Sequence, residues 1–196
     1  MFRDYVPLDF IILQPGVPYA RPTQVLPEKV TLDDSAVQVM TDFDSTTAII
    51  ILPADTVDEA HSRMIQRGVR LLLVVDENRN VLGVVTATDI LGEKPVQVAV
   101  QRGASRGEIQ VRDIMTPQER IEVLDMTDVR GAKVGHIVAT LSKAGRQHAV
   151  VVERDKLGGQ LVRGLFSATQ IARQLGVSLQ MTEIARTFSE IEATLR

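Results

Sequence analysis

Short apolar runs alternate with helical patterns in the first half of the chain, and the same succession returns in the second half. Ala48 to Leu52 is rich in β-branched residues and too short for a typical helix, so it predicts a strand. Thr56-Val57-Asp58-Glu59 then has the form of a capping box. Val57, Ala60 and Met64 mark one helical face, and Gly68 is a natural stop. Leu71 to Val75 and Val81 to Val85 predict two strands around the polar turn Asp76 to Asn80. A second helix is expected from Thr88 to Leu91, with Pro95 as a further helix start and Gly103 as its end. In the second half Ile121 to Leu124 predicts the first strand. Val134, Ile137, Val138 and Leu141 make the helical face and Gly145 the stop. His148 to Glu153 is the next strand, and Ala168 to Leu175 the closing helix.

The unit is strand, helix, strand, strand, helix, and its two copies share more than hydropathy. Gly83 to Ile90 (Gly-Val-Val-Thr-Ala-Thr-Asp-Ile) is answered 81 residues later by Gly164 to Ile171 (Gly-Leu-Phe-Ser-Ala-Thr-Gln-Ile). Val39-Met40-Thr41 answers Ile114-Met115-Thr116 at a spacing of 75, and Gly68 answers Gly145 at 77. The drift falls in loops, where added length costs little. This is the pattern of a duplicated folding unit. The first helix should link parallel strands, and the other two strands form a hairpin. Each unit then exposes one apolar sheet face that must be covered. The expected class is α+β, with an extended segment over 1–35, repeat one over 36–108 and repeat two over 109–176. An amphipathic helix is expected over 177–196. Its stripe of Met181, Ile184, Phe188, Ile191 and Leu195, opened by Ser178, fits packing on its own domain or a dimer contact.

Composition narrows the function classes. With 44% hydrophobic and 24% charged residues, the chain reads as a soluble globular protein. It has no cysteine, so no disulfide or thiolate metal site is expected, which fits a reducing cytoplasm. There is no basic start with an apolar core and no run of about 20 apolar residues, so neither a signal peptide nor a membrane span is expected. A net charge of −3, scattered basic residues and no tryptophan argue against nucleic-acid binding. His61, His136 and His148 lack metal-ligand spacing, and no nucleophile elbow, P-loop or zinc signature occurs. No catalytic residue, no metal and no enzymatic activity are expected.

The octad is where ligand chemistry concentrates. It sits where a strand becomes a helix, whose N-terminal N–H groups favour anions. Thr86 and Thr88 add hydroxyls, and Gly83 permits close approach of a backbone or a ligand. Asp89 can accept two hydrogen bonds from a ribose diol. The plainer alternative makes Thr88 an N-cap and Asp89 a first-turn stabiliser.

The Met-Thr pairs, the apolar strands ending in Asp76 and Glu153, and the two octads resemble a tandem cystathionine beta-synthase (CBS) domain pair, or Bateman module, over roughly residues 36–176. The family often has proline where this chain has Leu73 and Val150. The resemblance implies two units packed sheet to sheet around a pseudo-twofold axis, leaving two clefts. Such pairs commonly bind adenine nucleotides or S-adenosyl compounds, regulate another protein and often dimerise. Carried over residue by residue, cleft one holds Thr86, Thr88 and Asp89. It is completed by Thr116, the strand around Ile121 to Val123, and Arg146, Gln147 and His148. Cleft two holds Ser167, Thr169 and Gln170, completed by Thr41, the segment from Thr46 to Ala48, and Val69, Arg70 and Leu71. In the family, positions like Arg70, Gln147 and His148 face phosphates, and those like Val69 touch adenine; Arg146 departs from that pattern. Because Gln170 stands in place of an acid, cleft two is expected to be the weaker for a ribose. The implied function is a cytoplasmic, homodimeric sensor of an adenosine compound, with no tightly bound cofactor or catalysis of its own. It would act on a separate protein. The alternative is a ligand-free structural module for dimerisation or protein–protein contact.

Overall fold

The computed structural model describes residue 14 and residues 23–154 and 158–177. The C-terminal stripe from Met181 to Leu195 lies outside the described residues. In chain order the elements are β1 (Met40–Asp42), β2 (Ile50–Ile51), α1 (Val57–Arg67), β3 (Leu71–Val75), β4 (Val81–Thr86), α2 (Ala87–Leu91) and α3 (Lys94–Arg102). Then follow α4 (Val111–Ile114), β5 (Thr116–Pro117), β6 (Val123–Asp125), α5 (Met126–Gly131), α6 (Val134–Ala144), β7 (His148–Arg154), β8 (Gln160–Ser167) and α7 (Ala168–Gln174).

Local chemistry sets the longer elements. Thr56 caps α1 with a complete capping box to Glu59, and Gly68 ends it at φ 64°. The expected face of Val57, Ala60 and Met64 is buried. In the second copy Val134, Ile137, Val138 and Leu141 are buried along α6, and Gly145 ends it at φ 62°. All five residues of β3 are buried, which is why Leu71 to Val75 reads as an unbroken apolar run.

The first strands differ from expectation. β2 is confined to Ile50–Ile51, since Leu52 N–H donates to the Asp55 carboxylate (3.2 Å) and Pro53 after it supplies no donor to extend the ladder. In the second copy the strand begins at Val123 rather than Ile121. A 3₁₀ turn over Gln118–Arg120 ends with Ile121 N–H donating to the Gln118 carbonyl, and Ile121 packs between the sheets instead. The short helix α5 has no counterpart in the sequence pattern; Asp125 caps it by accepting from Thr127 N–H.

The strands form two four-stranded sheets, in the orders β2-β3-β4-β5 and β1-β8-β7-β6. Within each, the helix-linked strands are parallel and the hairpin antiparallel, as expected. The Met-Thr strands, however, are exchanged. β1 from the first copy pairs with β8, and β5 from the second pairs with β4. The cores follow the same exchange. Val30, Ala36, Val39 and Met40 join Val129, Ile137, Leu141 and Phe166, while Ile109, Val111 and Ile114 join Ile51, Met64, Leu72 and Ile90. The packed bodies therefore interleave along the chain and do not coincide with the sequence repeats at 36–108 and 109–176. A third cluster lies between the sheets, with Leu71, Leu73, Val75 and Val84 against Val150, Val162 and Leu165.

Both octad glycines serve this exchange. A Cβ on Gly83 would lie 2.5 Å from the Thr116 carbonyl oxygen, and one on Gly164 would collide with the Thr41 carbonyl. The close approach open to Gly83 is thus to a backbone. The residues ahead of β1 are also engaged. The Gln24 side-chain amide accepts from Asp42 N–H (2.8 Å) and donates to the Met40 carbonyl (2.9 Å), completing the outer edge of β1. Buried Gln174 donates to the Pro27 carbonyl at 2.8 Å.

Candidate functional site: two clefts between the repeats

Each octad opens into a cleft whose far wall comes from the other copy. Cleft one has a volume of about 360 Å³ and is lined by Thr86, Thr88 and Asp89, by Thr116 and Ile121, and by Arg146, Gln147 and His148. Glu122, inside the expected segment from Ile121 to Val123, lines it too, as does Arg120, which lies just ahead of that segment. Val123 does not; its register partner in β7, Val150, lines the cleft in its place.

Asp89, Glu122 and Arg146 of cleft one are held in ion pairs. Thr86, not Thr88, is the N-cap of α2, and Asp89 is its capping-box partner. Asp89 Oδ2 accepts from Thr86 N–H at 2.9 Å and from Thr86 Oγ1 at 2.6 Å. Its Oδ1 forms an ion pair with Lys94 Nζ, which also lies 3.4 Å from the Ile114 carbonyl oxygen. Arg146 Nη2 lies 2.5 Å from Glu122 Oε2. The carboxylate expected for a ribose thus holds a helix terminus and a lysine.

Cleft two, of about 410 Å³, is lined by Thr41, Thr46, Val69, Arg70, Leu71, Ser167, Thr169 and Gln170. Ala48 does not line it and packs between the sheets. Thr47, from the same expected segment, lines it; Phe43, Ile49, Arg67 and Arg173 join the wall, and no carboxylate is among its lining residues. Ser167 stands at the N-cap of α7 without a side-chain capping bond, so its hydroxyl is not committed as that of Thr86 is. Gln170 Nε2 faces Gln174 Oε1 at 3.5 Å. Both volumes fall within the usual range for small-molecule sites, about 300–1,000 Å³.

Leu71 and His148 line both clefts. Burial, with the nearby Arg70 charge, pushes the His148 imidazole down from 6.5 to about 4, so it is neutral at physiological pH and adds a polar edge without charge. The added residues have a signal in the sequence. Arg67 directly precedes the stop glycine, and Arg173 follows Gln170 by three positions on the same helix face. Among the described residues, no group of three or more His, Asp or Glu could hold a metal, and no helix is long and apolar enough to cross a membrane.

The CBS domain model matches residues 30–95. In structure the chain is similar to an uncharacterized conserved protein from Pyrococcus horikoshii, at 18% identity over 78% of this chain and 100% of that one, with a TM-score of 0.53. It is also similar to CBSX2 in complex with AMP, at 20% identity over 71% of this chain and 94% of that one, with a TM-score of 0.50; CBSX2 is a CBS-pair protein from Arabidopsis thaliana. The comparison with curated proteins gave no match.

Proposed function

We propose that this chain, a tandem CBS pair, is a regulatory module that binds an adenosine compound between its repeats and passes the signal to a separate protein. One observation carries the reading: two ligand-sized clefts each join the octad of one copy to the Met-Thr strand and post-glycine turn of the other. The similarity to an AMP-bound CBS pair supports the ligand class. The clefts offer hydroxyls, backbone and cations suited to a nucleotide. Exposed Leu91, Val96 and Val100 supply an apolar surface for the homodimer that belongs to the same reading.

A thermal-shift panel of AMP, ADP, ATP, S-adenosylmethionine and NAD tests it. Ligand at about a hundred times its dissociation constant stabilises by about 2.7 kcal/mol, and for a chain of this size the melting temperature should rise by about 5–11 °C. If no member shifts the melt and equilibrium dialysis agrees, the reading is wrong. A ligand-free structural module would then stand, a reading that the internal pairing of Asp89 with Lys94 and of Arg146 with Glu122 favours at cleft one.

A further inference from the structure

We propose that cleft two takes the polyphosphate chain of a di- or triphosphate, with Arg67 and Arg173, beside Arg70, setting how many phosphates it favours. This rests on the reading of the clefts as ligand sites and reverses the ranking expected from Gln170.

The two copies carry different charges at equivalent positions. Aligning Gly68 with Gly145 sets Arg67 against Ala144 and Arg70 against Gln147. Aligning the octads sets Arg173 against Gly92. All three arginines line cleft two, and every counterpart is uncharged. Cleft two therefore has three cations and no lining carboxylate. Cleft one has Arg120 and Arg146 balanced by Asp89 and Glu122, with Arg146 already paired to Glu122. Arg67 and Arg173 each lie in the last turn of a helix, where a cation is favoured anyway. That preference explains each one alone. It does not explain why they meet Arg70 in one cavity from which acids are excluded.

The rest of the wall agrees. Thr41, Thr46, Thr47, Ser167 and Thr169 bring hydroxyls that can donate to phosphate oxygens. Guanidinium groups bind phosphate through paired N–H donors. Arg70 is half-buried, while Arg67 and Arg173 are exposed at the mouth. A chain of phosphates can thus run from the inner arginine to the outer two. A monophosphate held at Arg70 would leave the outer pair unused. Gln170 fits this role better than the acid it replaces, because a carboxylate there would repel the same phosphates.

Calorimetric titration of the full chain with AMP, ADP, ATP and inorganic tripolyphosphate, in chelator, tests the proposal. Affinity is expected to rise about tenfold from AMP to ATP, and tripolyphosphate should compete with ATP. Arg67→Ala and Arg173→Ala should each lower ATP affinity about tenfold and change AMP affinity by less than about twofold. Arg173→Lys should recover part of the loss. Equal affinity for AMP and ATP in the wild type overturns the inference, as does an ATP preference that survives the double Arg67→Ala, Arg173→Ala variant. Either result leaves adenosine binding standing. Loss of the preference in Arg146→Ala rather than Arg173→Ala also overturns it. Arginine-dependent binding of tripolyphosphate with no binding of any adenosine compound upholds the polyphosphate site and removes the adenosine reading.

Discussion

Arg163 Nη2 lies 3.0 Å from Asp42 Oδ2, with each side chain only 13% exposed, and so ties the exchanged strand β1 to β8. The same guanidinium reaches Asp44 at 2.9 Å and Glu153 at 3.6 Å. Its position is a bulge: Val151 pairs with Gly164 and Val152 with Val162, leaving Arg163 as the extra residue. Leu82 is the matching extra residue in the first copy. The bulge is common to both copies and the charge clamp belongs to one. It fixes the segment that brings Thr41, Phe43, Thr46 and Thr47 to cleft two.

Replacing this arginine leaves the mostly buried Asp42 carboxylate without its cation, while Glu153 keeps Arg130. Arg163→Met should cost about 3 kcal/mol in urea unfolding, as expected when one partner of a buried pair is removed. A loss below about 0.5 kcal/mol, the scatter of ordinary surface substitutions, would show that the clamp contributes little.

The exchanged strands also set the cost of a methyl group at the octad glycines. Gly83→Ala and Gly164→Ala should each destabilise by about 1–3 kcal/mol, because the obstructing atom is backbone carbonyl oxygen that cannot rotate away. Gly107→Ala, where a Cβ meets nothing within 4 Å, serves as the comparison and should be near neutral. Similar unfolding midpoints for all three variants would contradict the close approach.

Asp89→Ala should lower the melting temperature of the unliganded protein. Losing the capping box at Thr86 costs about 1 kcal/mol, or about 2–4 °C for a chain of this size. An unchanged melt would mean that Asp89 serves a ligand and not its own helix.

His148 gives stability a pH dependence in a defined window. Its folded pKa, about 4, lies below the ordinary 6.5, so between these values the unfolded chain takes up a proton that the native protein does not. Stability is full above pH 6.5 and falls as the pH drops towards 4, by up to about 3 kcal/mol. Asp34, Asp76 and Asp125 have carboxyls held below the usual range by hydrogen bonds from Thr31, Asn80 and Thr127. Their contributions are lost at lower pH, below about 4, which separates them from the histidine. Denaturant unfolding followed across pH 4 to 7 should show the loss in wild type and not in His148→Gln. Parallel curves for the two proteins would exclude the assignment.

The parts of the fold that depend on neighbours along the chain are legible in the sequence. The Thr56 capping box, the stops at Gly68 and Gly145 and the buried run of β3 are local, and each stands where the pattern puts it. The helix α5 is not legible, because six residues with only Met126 and Val129 buried hold too little periodicity. The exchange of β1 and β5 is hidden in another way. Hydrophobic pattern shows that a segment is buried, not which sheet it joins, and only the family resemblance sets the Met-Thr segments opposite the other octad. At the site, Thr86-x-x-Asp89 is as readable a capping box as Thr56-x-x-Glu59, and its carboxylate serves its own backbone rather than standing free for a ribose. Arg67 and Arg173 escape motif matching because each lies just outside the motif it flanks.

The exchanged strands bear on how such a chain could have arisen. One repeat in isolation would lack the strand that closes its sheet, while its own Met-Thr segment would have no sheet to join. An identical neighbour would remedy both defects at once, each molecule lending its strand to the other around a twofold axis. Gene duplication of such a self-associating half would place the donor and the acceptor on one polypeptide and free the two to diverge. The three arginines on one side, the Asp89–Lys94 pair on the other and the Arg163 clamp are differences that a symmetric ancestor could not have carried in only one of its two halves.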